Sequence, residues 1–280
     1  QETVNLEQDG DKLKLSCGQF KATVNGISAA EYPEVPSLKG KTAKGEITLK
    51  KELIKEAIEQ AAVAAGTDDS RPIFTGLKIE ICPTGLRLAA TDGYRLSVKT
   101  VNQFKPSTVK KTLIVPARAL MELARSLDFD SSDELVLAPT DEEKQLIFSL
   151  TNLEIVTRLL EGEYPDFEKI IPTTHTTRAL LEKEGFLRAV KSAAVFARDN
   201  ANIIRFHIEN QAFVVLANTP QVGENRVELE AKIDGEGGDI AFNSRFLLEF
   251  LANFPEEELL FEMTGSLNPG VFKPVKDDSC

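Results

Sequence analysis

The sequence predicts an α+β fold built from long repeated units, each with helices packed on antiparallel sheets, and three recurrences predict it. Glu31-Tyr32-Pro33 returns as Glu163-Tyr164-Pro165, an offset of 132. Ala57 to Ala65 (AIEQAAVAA) returns as Ala189 to Ala197 (AVKSAAVFA) at the same offset. Arg118 to Glu122 (RALME) returns as Arg245 to Glu249 (RFLLE) with the offset drifted to 127. Alanine-rich helices resemble one another, which explains one match but not an ordered set. A period this long means repeated domains rather than a solenoid. A chain of 280 residues also exceeds one ordinary core.

Each element follows from local pattern. Leu49, Leu53, Ile54, Ala57, Ile58 and Ala61 fall at helical spacing, with Thr48 able to cap the helix and Gly66 to end it. Alternating runs then predict strands at Leu77 to Ile81 and Leu86 to Ala89, with Asp92-Gly93 as a two-residue turn signal. Pro116 suits the start of a second helix whose Leu120, Leu123 and Leu127 point inward. Strands at Leu135 to Ala138, Leu146 to Leu150 and Leu153 to Arg158 close the unit. The plan is helix, meander, helix, meander.

The unit boundaries follow. Residues 1–38 read as the last strands of an earlier repeat, 46–167 as a complete unit, and 173–280 as a unit lacking its closing strand. Pro36 to Gly45 reads as the linker that opens the complete unit. The chain is therefore expected to be clipped at both ends.

Composition narrows the function. Hydrophobic residues make up 42% and charged residues 28%, a soluble globular profile. No apolar run reaches the ~18 residues of a membrane span, and the first residues lack the features of a signal peptide. Cys17, Cys82 and Cys280 are odd in number and far apart, which argues against disulfides and zinc and for a reducing cytosol. His175 and His207 lack partners at catalytic or metal-binding spacing, and Asp133-Glu134 and Asp141 to Glu143 read as solvated loops. No nucleotide-loop, dinucleotide, zinc-protease or serine-hydrolase motif occurs. A catalytic reading finds no convergent cluster, and no cofactor is expected.

A net charge of −11 disfavours a broadly nucleic-acid-coating surface. The four predicted helices (48–65, 116–127, 182–198, 244–253) nevertheless hold ten basic and seven acidic residues. Lys51, Lys55, Arg118, Arg125, Arg188, Lys191 and Arg198 are the candidates for sequence-blind phosphate contact. Basic residues also commonly decorate solvated helix faces, so this pattern alone leaves both readings open.

Ala90-Thr91-Asp92-Gly93-Tyr94-Arg95-Leu96-Ser97, the segment Glu161 to Phe167 (EGEYPDF) and the helix from Phe242 to Leu247 (FNSRFL) together resemble the bacterial β sliding clamp family. These are the processivity subunits of replicative DNA polymerase III. The resemblance runs the whole chain and implies tandem clamp domains, three per full subunit, in a non-catalytic homodimeric ring around duplex DNA in the cytoplasm. It implies the polymerase III catalytic subunit, the clamp loader and other proteins with clamp-binding motifs as partners. It also implies a peptide pocket walled by Thr91, Gly93, Tyr94, Arg95, Leu96 and Pro165, with a C-terminal tail expected beyond Cys280. Phe74 and Ile170 join that pocket by spacing alone. Without that tail and the missing ends, the chain is expected to bind peptide weakly and not to close a ring. The competing reading is a cytosolic peptide-binding scaffold that never encircles DNA, favoured by the acidic charge.

Overall fold

The computed structural model describes residues 3–39, 45–83, 85–102, 110–140, 144–209, 212–220 and 223–275. Asp141 to Glu143, Cys280 and much of the Pro36 to Gly45 linker lie outside the described residues. The chain divides into Gln1–Lys39 and Gly40–Cys280.

The first unit is an antiparallel meander of β1 (Asn5–Asp9), β2 (Lys12–Cys17) and β3 (Phe20–Asn25). Its register pairs Leu6 with Leu15, Leu13 with Val24 and Leu15 with Ala22, so one face is apolar. The other face carries Glu7 opposite Lys14 and Asp9 opposite Lys12.

The second unit begins with β4 (Ile47–Lys50), which runs directly into α1 (Lys51–Ala62). Then come β5 (Gly76–Cys82), β6 (Gly85–Thr91), β7 (Leu96–Val101), β8 (Lys111–Pro116) and α2 (Ala117–Ser126). The strands β9 (Glu134–Pro139), β10 (Gln145–Ser149) and β11 (Glu154–Arg158) follow. They form two antiparallel sheets, ordered β7-β6-β5-β8 and β11-β10-β9-β4. The pattern then repeats as β12 (Thr177–Glu182), α3 (Lys183–Ala197), β13 (Ile203–Glu209), β14 (Ala212–Thr219), β15 (Gly223–Gly235) and β16 (Gly238–Asn243). It ends with α4 (Ser244–Asn253), β17 (Glu258–Met263) and β18 (Val271–Pro274). Here β15 spans 13 residues, pairs with both β14 and β12, and fuses the strands into one sheet of order β16-β13-β14-β15-β12-β17-β18.

The offsets have a structural origin. Helix α1 starts at Lys51 and α3 at Lys183, which is the larger offset of the two. Strands β5 and β13 start at Gly76 and Ile203, and helices α2 and α4 at Ala117 and Ser244, both at the smaller one. Five residues are therefore extra in the stretch from α1 to β5, where Arg71 and Phe74 sit. Helix α1 buries Ile54, Ala57, Ile58 and Ala61, and α3 buries Phe186, Ala189, Val190 and Ala193, so each turns one apolar stripe to its sheets. The two cores differ in chemistry. The earlier one is leucine, isoleucine and alanine with Phe148, while the later one is built on Phe186, Phe206, Phe213 and Phe261. Its ring centroids lie 5.1–6.0 Å apart, with edge-to-face pairs prominent.

Four local expectations need correction. Thr48 does not cap α1; it lies inside β4 opposite Val136, and the Lys51 N–H instead donates to the Asp133 carbonyl at 2.9 Å. Gly66 does not end α1, whose regular turns stop at Ala62; its N–H donates to the Phe74 carbonyl at 2.7 Å. Asp92-Gly93 is half of a four-residue turn, Asp92 to Arg95, rather than a two-residue hairpin. Finally, a strand runs directly into each of α1, α2, α3 and α4, and β4, β8, β12 and β16 were all absent from the helix-and-meander plan. Each merges into its helix without a loop, so its apolar residues read as part of the helical stripe.

Candidate functional site

The helices pack in a row. Helix α1 lies against α2, α3 against α4, and α1 also meets α4. The basic candidates distribute unevenly over them. The Lys51 ammonium is half-buried and donates to the Asp130 carbonyl at 2.9 Å. Lys183, at the same place in the next repeat, donates to the Phe254 carbonyl at 2.6 Å. Both lysines thus tie the start of one helix to the chain leaving its neighbour. Lys55 pairs with Asp128 at 2.6 Å, and that hydrogen bond holds its pKa above the ordinary lysine value. Arg125 reaches Glu122 of its own helix at 3.4 Å. Arg118, Arg188, Lys191 and Arg198 are exposed, and among the described residues no ion pair engages them. Arg245, exposed on α4 where Arg118 stands on α2, was missed although the RALME and RFLLE recurrence aligned the two.

The second cluster is built where β6 ends. Gly93 takes φ +94, which favours glycine, and the Asp92 carboxylate accepts from the Tyr94 and Arg95 N–H groups at 2.8 and 3.0 Å. The Thr91 hydroxyl donates to the Arg95 carbonyl at 2.7 Å and accepts from the Gly93 N–H at 3.1 Å. These bonds make a closed, rigid turn that leaves Tyr94 83% exposed and Leu96 half-buried.

Tyr164 joins this turn to the strap that follows β11. Its phenol accepts from the Thr91 N–H at 3.0 Å and donates to the Gly76 carbonyl at 3.3 Å. The β5–β6 register ends at Lys78 opposite Ala89; two residues further it would set Gly76 opposite Thr91. The hydroxyl therefore stands where the next ladder bond would form. Burial of the ring pushes the phenol up to about 12. A Cβ on Gly76 would lie 2.7 Å from the Leu160 methyl and 2.9 Å from Ile114 Cγ2, so both side chains would have to shift to admit one. Further along the strap, Phe167 is buried beneath the Lys78 and Arg87 cations, 5.2 and 5.3 Å from its ring centre, and Arg87 pairs with Glu168. The strap is bolted to the sheet at two points.

The structure thus brings Thr91, Gly93, Tyr94, Arg95, Leu96 and the half-buried Pro165 together, because Tyr164 ties the two motifs. Phe74 is half-buried under the Arg71 guanidinium, 5.2 Å from its ring centre. A Cβ on Gly66 would touch both Phe74 and Asp92, at 3.3 and 3.6 Å, so Phe74 borders the turn. Ile170 is exposed, three residues beyond Phe167 on the strap. Arg95 is already engaged: its Nε reaches Asp92 at 3.1 Å, its Nη1 reaches Glu249 of α4 at 2.5 Å, and its guanidinium lies 4.2 Å from the Phe246 ring centre. Sequence reasoning missed Tyr164, Phe246 and Glu249 as parts of this cluster, although all three lie inside motifs it quoted. Strap residues Leu160, Glu161 and Tyr164 line a cavity of about 520 Å³ together with Lys78 and Ile114.

The two histidines each lie beside a carboxylate. His207 Nδ1 lies 2.9 Å from Asp239 and Nε2 3.3 Å from Glu209, and His175 lies 3.5 Å from Glu262. Among the described residues no three metal-ligating side chains converge, and no helix is long and apolar enough to cross a membrane.

Comparison with known proteins decides the family. Residues 48–166 match the central domain of the DNA polymerase III beta subunit, and residues 168–280 match its C-terminal domain. The chain belongs to the β sliding clamp family. It is 30% identical over 275 residues to the beta sliding clamp of Synechococcus elongatus, covering 97% of this chain and 72% of that clamp. The Streptomyces coelicolor clamp is 30% identical over 281 residues, covering 98% and 73%. Among solved structures, the sliding clamp of Bacillus subtilis superposes with a TM-score of 0.87 at 26% identity, over 98% of this chain and 72% of that one. The Streptococcus pneumoniae beta chain gives 0.86 at 25% identity, over 99% and 72%. The family's mixed fold, with helices on antiparallel sheets, is the fold described above.

Proposed function

We propose that this chain works as a sliding clamp: a non-catalytic processivity factor that tethers the replicative DNA polymerase to duplex DNA without reading sequence. The observation that carries the reading is the paired match of its two successive repeats to the central and C-terminal clamp domains. The divisions 46–167 and 173–280 follow the two cores, and 1–38 supplies strands of a further clamp domain in this reading. The clamp works in the cytoplasm, as a homodimeric ring around DNA, and meets the polymerase III catalytic subunit, the clamp loader and other proteins through short peptides.

Charge supports weak, mobile phosphate contact. Arg118, Arg188, Lys191, Arg198 and Arg245 are exposed on or beside the helices while the chain as a whole is acidic. Lys51 and Lys55 are spent largely on Asp130 and Asp128, and Arg125 on Glu122, so they rank below the others. The peptide site lies at the Thr91 to Leu96 turn and Pro165, where the exposed Tyr94 is a rigid aromatic anchor and Phe74 and Ile170 add apolar surface. The scaffold reading gains no support from the family match.

Retention on DNA tests this. With clamp loader present, a three-domain subunit that contains this sequence should stay on a nicked circular plasmid at raised salt and leave when the plasmid is linearised. Equal retention on both forms, or on neither, would defeat the encircling reading.

A further inference from the structure

We propose that Phe246 and Glu249 of α4 are positioning residues for the Thr91 to Leu96 turn, acting through Arg95 as a clasp between the two repeats. The functional weight of this rests on the turn being the partner site; the clasp itself stands on geometry alone. Arg95 belongs to the earlier repeat and is anchored there by Asp92, whose other oxygen holds the Tyr94 and Arg95 N–H groups. The same guanidinium then leaves its own repeat, reaching Glu249 at 2.5 Å and lying close to Phe246, 4.2 Å from the ring centre.

Two properties make this more than a surface ion pair. The Arg95 side chain is only 20% exposed, so solvent screens its end of the Glu249 contact weakly, while the Glu249 end is 46% exposed. Arginine also offers a plane and several N–H donors at once, so one group can stack, pair across the boundary and brace its own turn. The turn joins β6 to β7, whose pairing closes at Thr91 opposite Leu96, so the strands hold it at its base on one side. The clasp holds it from the other. A segment docking on the turn therefore meets a surface whose order is set by the C-terminal repeat, and an acidic group aimed at Arg95 competes with Glu249 for its donors.

The test needs no partner peptide, so its outcome is independent of whether the partner-site reading holds. Glu249 is half-exposed, and Glu249→Gln keeps its size, so the variant should fold. Amide hydrogen exchange at Gly93, Tyr94 and Arg95 should speed up by about fivefold or more in Glu249→Gln and in Phe246→Leu, while amides in β9 and β10 stay unchanged. A double-mutant cycle of Arg95→Ala with Glu249→Gln should show coupling of at least about threefold in the unfolding constant. Unchanged exchange at the turn together with no coupling in the cycle would overturn the clasp. Acceleration spread evenly through the central repeat would also overturn it, since that reports general loosening rather than positioning.

Discussion

Tyr164→Phe removes one oxygen and leaves the ring, so it isolates the bridge between the strap and the strand ends. In the native chain the hydroxyl takes the Thr91 N–H at 3.0 Å and gives to the Gly76 carbonyl at 3.3 Å. Thr91 and Gly76 are both buried, so phenylalanine would strand a donor and an acceptor away from water. Each orphaned group costs about 1–3 kcal/mol. The two orphans, however, face each other across the continued β5–β6 register, so the strand ends can close and recover one bond. The net loss is then about 1–2 kcal/mol, read by equilibrium urea unfolding at pH 7. A second assay uses the proton. Burial raises the folded phenol to about 12, above the ordinary value of 10.0. Its contribution to stability is therefore full below pH 10 and is lost as pH rises from 10 to 12, because the unfolded chain ionises first. Difference spectroscopy against Tyr164→Phe should show one phenol ionising near the upper end of that range. A loss under about 0.5 kcal/mol, with no high-pH phenol missing from the variant, would refute the bridge.

Further outcomes follow from the same geometry. Lys51→Met and Lys183→Met should each lower stability by about 1–2 kcal/mol, since each strands a carbonyl that a charged donor now satisfies. Replacing Arg188 and Lys191 by Glu should leave urea unfolding within about 0.5 kcal/mol of wild type. The same pair should flatten the salt dependence of DNA retention by about one unit of slope per lost phosphate contact. His207 donates toward Asp239, which with Glu209 raises its pKa above 6.5. The stability it adds is present below pH 6.5 and lost as pH rises through the raised value. His207→Gln should abolish that slope, and an NMR titration of the imidazole should locate it.

The repeat was legible because packing constrains it twice. The alanine-rich faces of α1 and α3 must fit against sheets of the same geometry, so Ala57 and Ala61 return as Ala189 and Ala193, all buried. The strands leading into helices were not legible. In β4, Ile47 and Leu49 alternate toward the core, but only two apolar positions precede Lys51, too few to separate period two from the helical period that follows. The turn at Asp92-Gly93 was legible as a turn and not as a four-residue one. Its length is set by the β6–β7 register, which closes at Thr91 opposite Leu96, and by the Thr91 and Asp92 side chains that satisfy the turn's own backbone groups.

The lysines show where charge patterning stops informing. Lys51, Lys55, Arg188 and Lys191 all lie on helices that pack along one side of their sheets, and a count of charges gives them equal weight. The repeat itself separates them. Lys51 and Lys183 stand at the same place, each as the first residue of its helix, and each sends its ammonium to a carbonyl in the chain leaving the second helix of its repeat. Their backbone N–H groups make matching bonds as well, to Asp133 at 2.9 Å and Glu257 at 2.8 Å. A contact made twice, in cores of different composition, answers a need of the fold, because a strand running straight into a helix leaves the neighbouring helix end to be closed by something long and cationic. Lys55 has no such twin; the residue that matches it on α3 is Leu187, which packs against the core, and its own charge goes to Asp128. Arg188 and Lys191 have Glu56 and Glu59 at the matching positions of α1, so nothing in the repeat's architecture asks for a cation there. Positive charge that the fold does not require, on the later repeat of an acidic chain, is what contact with a phosphate backbone would call for.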